Sequence, residues 1–488
     1  MKNIFKLFII AFFLISASGC EEYLTTGPSA QISDQTMYKD VSGAQYVLNG
    51  IYRDLRNATE SSDGGVLTTL RNCMSVYGDD MCMVYIGNNL DYYYDHSYAY
   101  NLTNATSSTP RLNWAFFYKV VANCNSILTN LDASIGPDAT KKAIKGQTLA
   151  IRAYMYFWAV RLFAPPVDSK LGIPLYETVD VVGRPRETVG AVYTKIKADM
   201  LSAITLLEGF TRSHKRYINK QIVQGMLAEV YLTHEEFAAA ATMALAARTG
   251  FPLSNSAEFR SHQNDENLKE WMWVITQNDT QKFNWATPLK WWGTYGGIVP
   301  SYKTWTGIFF ISKTLAKKIE PTDVRYQFYN YKERIIGTPP DTSFYTATDK
   351  FWESYRTDDY MFGDVCWMRA AEMYLIEAEG LLRSTPPNPA GALVALNALQ
   401  TARNATLSTT ATLDAILLER SKELYGEGYL FFDLIRNGLP VVRTNPQRTY
   451  GGMPANDWSW IFQIPLDELA ANPQIPPADQ NPISGSYK

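Results

Sequence analysis

Apolar residues recur at helical spacing along most of this chain. Met37, Val41, Ala44, Leu48, Ile51 and Leu55 stand three or four apart, which lays one apolar stripe along a helix. Trp114, Phe117, Val121, Cys124, Leu128 and Leu131 repeat the spacing. So do Ile151, Tyr154, Met155, Trp158 and Leu162, until Pro165-Pro166 stops the helix by removing backbone donors and blocking the preceding turn. Further helices are predicted over Ala191–Leu207, Asn219–Thr233 and the Ala-rich Glu235–Arg248. The period returns at Val365–Arg383, through Met368, Ala371, Leu375, Ala378 and Leu382. Past the break at Pro386-Pro387-Asn388-Pro389, two more helices are expected at Ala392–Arg403 and Leu413–Tyr425. Between Phe251 and about Asp364 the helical period lapses. Trp271–Thr276 alternates briefly as a strand does, amid Gly, Pro, Trp and Tyr. A second short strand is predicted at Trp460–Ile464, before a Pro-rich extended tail.

Paired helices of about 12–20 residues with short breaks imply a mainly α fold. The expected architecture is tetratricopeptide-like helix pairs stacked into a superhelical scaffold, with a few short strands, although the signature letters of that repeat are not matched. The helical sections, about 36–250 and 365–440, flank the irregular one and are expected to pack together as a single domain over 36–488. The loop-rich segment, about 251–364, has the texture of ligand-binding loops on a rigid frame.

The N-terminus has its own pattern. Lys2 and Lys6 precede an apolar run from Leu7 to Ile15, and Ala17, Ser18 and Gly19 lead into Cys20. A basic start, a short apolar stretch and a small-residue exit read as a secretory signal over 1–19. The run is too short to span a bilayer, which takes roughly 20 residues. Small residues ending on Cys resemble a bacterial lipobox, so Cys20 is the expected lipidation site and 20–35 a polar tether leaving the membrane.

Formal net charge is −3, and loss of the two lysines of the leader takes it to about −5. No Lys/Arg run suits a nucleic-acid backbone, so nucleic acid is not an expected partner. Four cysteines besides Cys20 are Cys73, Cys82, Cys124 and Cys366, of which Cys73 and Cys82 alone are close in sequence. In an exported chain they are compatible with a disulfide or with buried thiols. With four His and no C-x-x-C, no metal site is expected, and no phosphate loop or other cofactor motif is present.

One block is more specific. Glu419-Arg420-Ser-Lys-Glu423-Leu424-Tyr-Gly-Glu427-Gly428-Tyr-Leu-Phe-Phe-Asp433-Leu434-Ile-Arg436-Asn-Gly438 resembles the E-R-x-x-E-L-x-x-E-G…D-L-x-R-x-G block of the SusD/RagB family. The lipobox followed by Glu21-Glu22-Tyr23-Leu24 agrees with it. So do Arg152-Ala153-Tyr154 running into Leu171-Gly172-Ile173-Pro174-Leu175, Arg369-Ala370-Ala371-Glu372 with Glu377-Ala378, and the closing Ile464-Pro465…Asn472-Pro473…Gln480-Asn481-Pro482. Leu430 departs from it, standing where the family usually has a basic residue. The resemblance implies a lipid-anchored, surface-exposed outer-membrane protein that binds glycan without cleaving it. It also implies a partner, a TonB-dependent transporter of the SusC type, over which such proteins sit as a lid. Interleaved with Leu424, Phe432, Leu434 and Ile435, the charges of the block read as a paired network pinning a helix against its neighbours.

A pyranose ring offers an apolar C–H face and a rim of hydroxyls, so it calls for flat aromatic platforms and planar hydrogen-bonding side chains. Two concentrations lie outside helical spacing. The first yields Asp79, Tyr92, Tyr94, Tyr98, Tyr100 and Asn101 as candidate glycan contacts; the second yields Trp285, Trp291, Trp292 and Tyr295. Glycan contacts in the family come from similar places. The competing readings are capture of peptide or glycopeptide, a purely structural transporter partner, and, more remotely, a glycoside hydrolase. The last would need two carboxylates about 5–10 Å apart. Asp79/Asp80 and Asp358/Asp359 are adjacent acids, but no G-x-S-x-G or H-E-x-x-H accompanies them, and His234-Glu235-Glu236 lacks a second His.

Overall fold

The helices start where the sequence supplies a cap. Thr188, Asn219, Asn388 and Thr412 each accept a hydrogen bond from the backbone N–H three residues on, at 3.3, 3.2, 2.9 and 3.1 Å. In the computed structural model, which describes residues 34–56, 67–86, 104–179, 182–260, 266–276, 306–329, 345–347, 350, 364–442 and 452–488, the main helices are these. They are α1 (Val41–Arg56), α2 (Leu67–Gly78), α3 (Ser108–Asn130), α4 (Asp138–Phe163), α5 (Val189–Leu206), α6 (Lys220–Thr233) and α7 (Phe237–Arg248). After the irregular segment come α8 (Ala370–Arg383), α9 (Pro389–Ala402), α10 (Leu413–Leu424) and α11 (Leu430–Arg436).

From α3 to α9 each helix packs on the next, the stacked arrangement expected of a tetratricopeptide-like superhelix. The chain is mainly helical, as its pattern predicts. α4 lies at the centre: every residue from Gly146 to Val160 is buried, so its apolar surface is not one stripe but the whole circumference. Its Arg152 survives there by pairing with Asp199 of α5 and donating to Asn125 Oδ1 of α3, both at 2.8 Å. α7 packs directly on α8, although the irregular segment separates them in sequence. That contact is close enough to select small residues. A Cβ on Gly380 would meet the Phe237 carbonyl oxygen at 2.6 Å, and α7 turns Ala240, Ala241, Ala244 and Ala247 inward.

Two small antiparallel sheets complete the frame. β2 (Trp271–Ile275) pairs with β5 (Val365–Arg369), and β1 (Met81–Ile86) pairs with β3 (Thr306–Ser312), which in turn pairs with β4 (Tyr345–Ala347). β2 is the strand the alternation predicts, and Trp271 and Trp273 are wholly core. β5 corrects the expected Val365–Arg383 helix, which starts instead at Ala370. Val365, Trp367 and Met368 are buried against β2, and the Trp273 and Trp367 rings meet edge to face at 4.6 Å, so cross-strand packing overrides helical spacing. The expected strand at Trp460–Ile464 is absent: a 3-10 turn at Trp458–Trp460 leads into extended chain whose Phe462 N–H bonds to the Leu162 carbonyl at 2.8 Å, with no partner strand. α2 and α11 are helices that periodicity missed. α2 contains Thr68, Thr69, Asn72 and Ser75, poor helix formers, and owes its place to packing against α11. Cys124 and Cys366 are free thiols.

Candidate functional site

The β1–β3 register decides where the two aromatic-rich segments leave the frame. Met81 faces Ile311, and five residues later Ile86 faces Thr306. Ile86 is the last residue before the stretch that carries Tyr92–Asn101, and Thr306 is the first after the stretch that carries Trp285–Tyr295. Paired Cα atoms in an antiparallel ladder are about 5 Å apart. Two segments far apart in sequence are therefore rooted side by side. The other root of the second segment is Ile275, at the end of β2, whose indoles anchor it in the core.

At the opposite end of β1 the chain turns sharply out of α2. Asp79 takes a left-handed conformation, φ 67°, which Asp tolerates better than most residues. Asp80 is buried, and its Oδ2 accepts from the backbone N–H of Gly426 at 3.2 Å. Asp79 stands in the wall of a groove of about 340 Å³, with Leu315, Lys318, Asp414, Leu418 and Leu434. Leu430, the departure from the family block, lines the same groove.

Behind that groove the block forms a buried ionic lattice. Glu423 is fully buried and accepts from Arg325 (3.1 Å), Arg403 (2.8 Å) and Arg369. Glu427 accepts from Arg369 and Lys350, each at 2.7 Å. Glu270 accepts from Arg369 at 3.0 Å and from Arg403 at 2.9 Å. A second knot joins Asp433 to Arg420 and Arg436 at 2.8 Å, and Arg436 to Glu379. Gly428 closes the turn between α10 and α11 with φ +82°, and a Cβ there would meet the Arg71 carbonyl oxygen at 2.7 Å. Burial raises the carboxylates, but the facing cations win: Glu427 and Glu379 are held down to about 2, and Glu423 well below the usual range. Such groups are ionised at any working pH and have no proton to give. Glu372 and Glu229 are raised instead, first by burial, and Glu372 also by Glu229 beside it. Both face the interior rather than the groove. The paired-network reading of the block is what the structure shows. Arg325, Lys350 and Glu270 join it from the irregular segment, and no spacing in the sequence announces them.

Of the candidate glycan contacts, Asp79 is placed as above. Tyr92, Tyr94, Tyr98, Tyr100, Asn101, Trp285, Trp291, Trp292 and Tyr295 lie outside the described residues, as does Cys20. His234 pairs with Asp168 at 2.9 Å and Glu236 at 3.0 Å, tying the α6–α7 turn to the chain after α4. Among the described residues no group of three or more His, Cys, Asp or Glu could hold a metal ion, and no helix is long and apolar enough to cross a membrane.

Comparison with known proteins agrees over most of the chain's length. A SusD-like family described as starch-binding and associating with the outer membrane matches residues 30–232, and the SusD family matches 260–483. The chain is similar to SusD-like protein P38 of Formosa agariphila, 24% identical over 91% of this chain and 93% of that protein. A SusD-like carbohydrate binding protein from Bacteroides vulgatus superposes with a TM-score of 0.80 at 24% identity, covering 92% of this chain and all of the other. A laminarin binding SusD-like protein does so with a TM-score of 0.70 at 21% identity, over 91% of this chain and 100% of that one.

Proposed function

The chain belongs to the SusD/RagB family of outer-membrane-associated binding proteins, and from that premise we propose that it captures oligo- or polysaccharide at the cell surface. In this reading Cys20 carries the lipid anchor, the captured glycan passes to a SusC-like TonB-dependent transporter, and no bond is cleaved. Residues 36–488 act as one domain, with 251–364 supplying ligand loops; the direct α7–α8 packing across that segment supports this. The observation that carries the proposal is the pairing of Ile86 with Thr306, which roots the segments bearing Tyr92, Tyr94, Tyr98, Tyr100 and Asn101, and Trp285, Trp291, Trp292 and Tyr295, at one sheet end. The laminarin binding relative supports the ligand class.

Stacking on a flat ligand is worth about 1–3 kcal/mol per platform, by analogy with bases. After ordering costs, two platforms leave roughly −4 kcal/mol, a Kd of about 1 mM, adequate for a multivalent polymer. Affinity electrophoresis in gels holding laminarin, starch or other polysaccharides tests this, with Trp291→Ala, Trp292→Ala, Tyr94→Ala and Tyr100→Ala. The parent should be retarded by at least one glycan, and single platform losses should weaken binding by about 5-fold or more. Four variants all binding like the parent would refute the placement, and release of reducing ends would refute the non-catalytic reading.

A further inference from the structure

The groove beside Asp79 is built from four separate parts of the frame. Ser312 ends β3, Thr314 and Leu315 stand on the short helix Lys313–Ala316, and Lys318 follows it. Asp414 and Leu418 contribute from α10, and Leu430 and Leu434 from α11. Its volume of about 340 Å³ is that of a small-ligand site, for which about 300–1,000 Å³ is usual.

Its walls are fixed from behind. Leu315 belongs to a buried cluster with Ile311, Ile319 and Tyr425, and Leu418 packs against that cluster. At the Leu430 end, α2 and α11 touch backbone to backbone: a Cβ on Gly78 would meet the Phe431 nitrogen at 2.8 Å and the Leu430 Cβ at 3.3 Å. Asp433, deeper in the wall, is held by Arg420 and Arg436 at 2.8 Å. The groove is therefore preformed, and a ligand entering it orders little.

The groups at its mouth are uncommitted. The side chains of Ser312, Thr314, Lys318 and Asp414 make no hydrogen bond or ion pair among the described residues. They offer one ammonium, one carboxylate and two hydroxyls, so three of them can donate and three can accept. Below them the leucines form an apolar floor. A sugar ring is the complement of this arrangement, with C–H groups on one face and hydroxyls around the rim that both donate and accept. Asp79 and Asp414 against Lys318 leave the mouth slightly acidic, which opposes a sulfate or a uronate.

We propose that this groove is a carbohydrate subsite in its own right, in which a neutral sugar unit lays its C–H face on Leu315, Leu418, Leu430 and Leu434 and exchanges hydrogen bonds with Ser312, Thr314, Lys318 and Asp414. It rests on the glycan-capture reading and adds to it a second place of contact and an uncharged ligand class. The aromatic segments leave the frame at the far end of β1, five residues and about 17 Å along the strand, and the groove uses none of their residues. Aliphatic side chains lack the flatness of an indole, so the subsite binds weakly alone and acts by adding a second attachment to one polymer.

The test uses full-length mature protein in gels containing laminarin, starch, mannan or polygalacturonate, each read against a glycan-free gel. At least one neutral polysaccharide should retard the parent, and polygalacturonate should not. Asp414→Ala and Lys318→Ala alter exposed side chains and keep the fold and its circular dichroism. Each should weaken retardation about 2- to 10-fold, the range of one hydrogen bond, and the pair together leaves net charge unchanged. Leu430→Arg fills the groove from a half-buried position and should weaken retardation about 5-fold or more. Parent-like retardation of both Leu430→Arg and the Asp414→Ala/Lys318→Ala pair overturns the subsite, while glycan capture stands. Stronger retardation by polygalacturonate than by any neutral polysaccharide overturns the uncharged class. If none of the four retards the parent, the glycan-capture reading falls and the subsite with it.

Discussion

Replacing Glu423 tests whether the charged block is architecture or binding surface. The carboxylate is fully buried and accepts from three arginines, Arg325, Arg369 and Arg403, each from a different part of the chain. Around it, Arg325, Lys350, Arg369, Arg403 and Lys422 face Glu270, Asp323, Glu419, Glu423 and Glu427, so the lattice is electrically balanced among the described residues. Glu423→Ala leaves one uncompensated positive charge in a dry site. Breaking a buried pair in this way costs about 3–5 kcal/mol. The cost stays in that range because Arg325 keeps Asp323 at 2.6 Å, Arg403 keeps Glu270 at 2.9 Å and Arg369 keeps Glu427 at 2.7 Å. Against a total of about 5–15 kcal/mol, the variant should be folded but fragile. Urea or guanidinium unfolding followed by far-UV circular dichroism reads the loss as a lower midpoint at unchanged slope. Glu423→Gln separates charge from shape. It fills the same volume, so a packing role would leave it near the parent, whereas the charge argument predicts a loss approaching that of Ala. A change below about 1 kcal/mol for Ala, or a neutral Gln, refutes the reasoning. Glycan retention by the folded fraction should be unchanged in both variants, because Glu423 reaches no surface.

Acid should loosen the same lattice over a defined window. Glu379 and Glu427 sit near 2 when folded against about 4.5 unfolded, so their contribution is complete above the unfolded value and disappears as pH falls from about 4.5 toward 2. Each accounts for about 3 kcal/mol, and a denaturant midpoint that stays level between about pH 5 and 3 would contradict this. Glu372 runs the other way. Its Oε2 accepts from the Tyr429 hydroxyl at 2.8 Å, while Oε1 is buried without a hydrogen bond and the carboxyl is held well above its ordinary pKa. The folded state therefore keeps a proton that the unfolded chain gives up, and stability drains by about 1.4 kcal/mol per pH unit above the usual carboxylate range. Glu372→Gln removes that drain, so its advantage over the parent should widen as pH rises above the usual carboxylate range; a constant gap would sink the assignment.

Much of the frame is written in residue spacing, because a helix buried on one side repeats its apolar positions every three or four residues. α1 and α3 follow that rule, α4 keeps the period although it is buried all round, and the ends of α4 and α10 agree with Pro165-Pro166 and the Thr412 cap. The rule fails where another force sets the structure. Val365–Arg369 has helical spacing but pairs with β2, since two indoles meet across the strands. α2 is held by a partner more than three hundred residues away, which local propensity does not encode. The candidate site is legible as composition, two runs of rings and planar polar groups. Its geometry is not, because a ladder register such as Ile86 opposite Thr306 is a long-range fact.

The direct seating of α7 on α8 has an evolutionary consequence. The chain makes its long excursion between two partners that already hold each other, so lineages can lengthen, trim or rewrite the parts of it outside anchors such as Glu270, Trp271, Trp273, Arg325 and Lys350 while α7 stays seated on α8. Selection for a new diet can then act on one stretch of the gene, with thermodynamic robustness inherited from the rest.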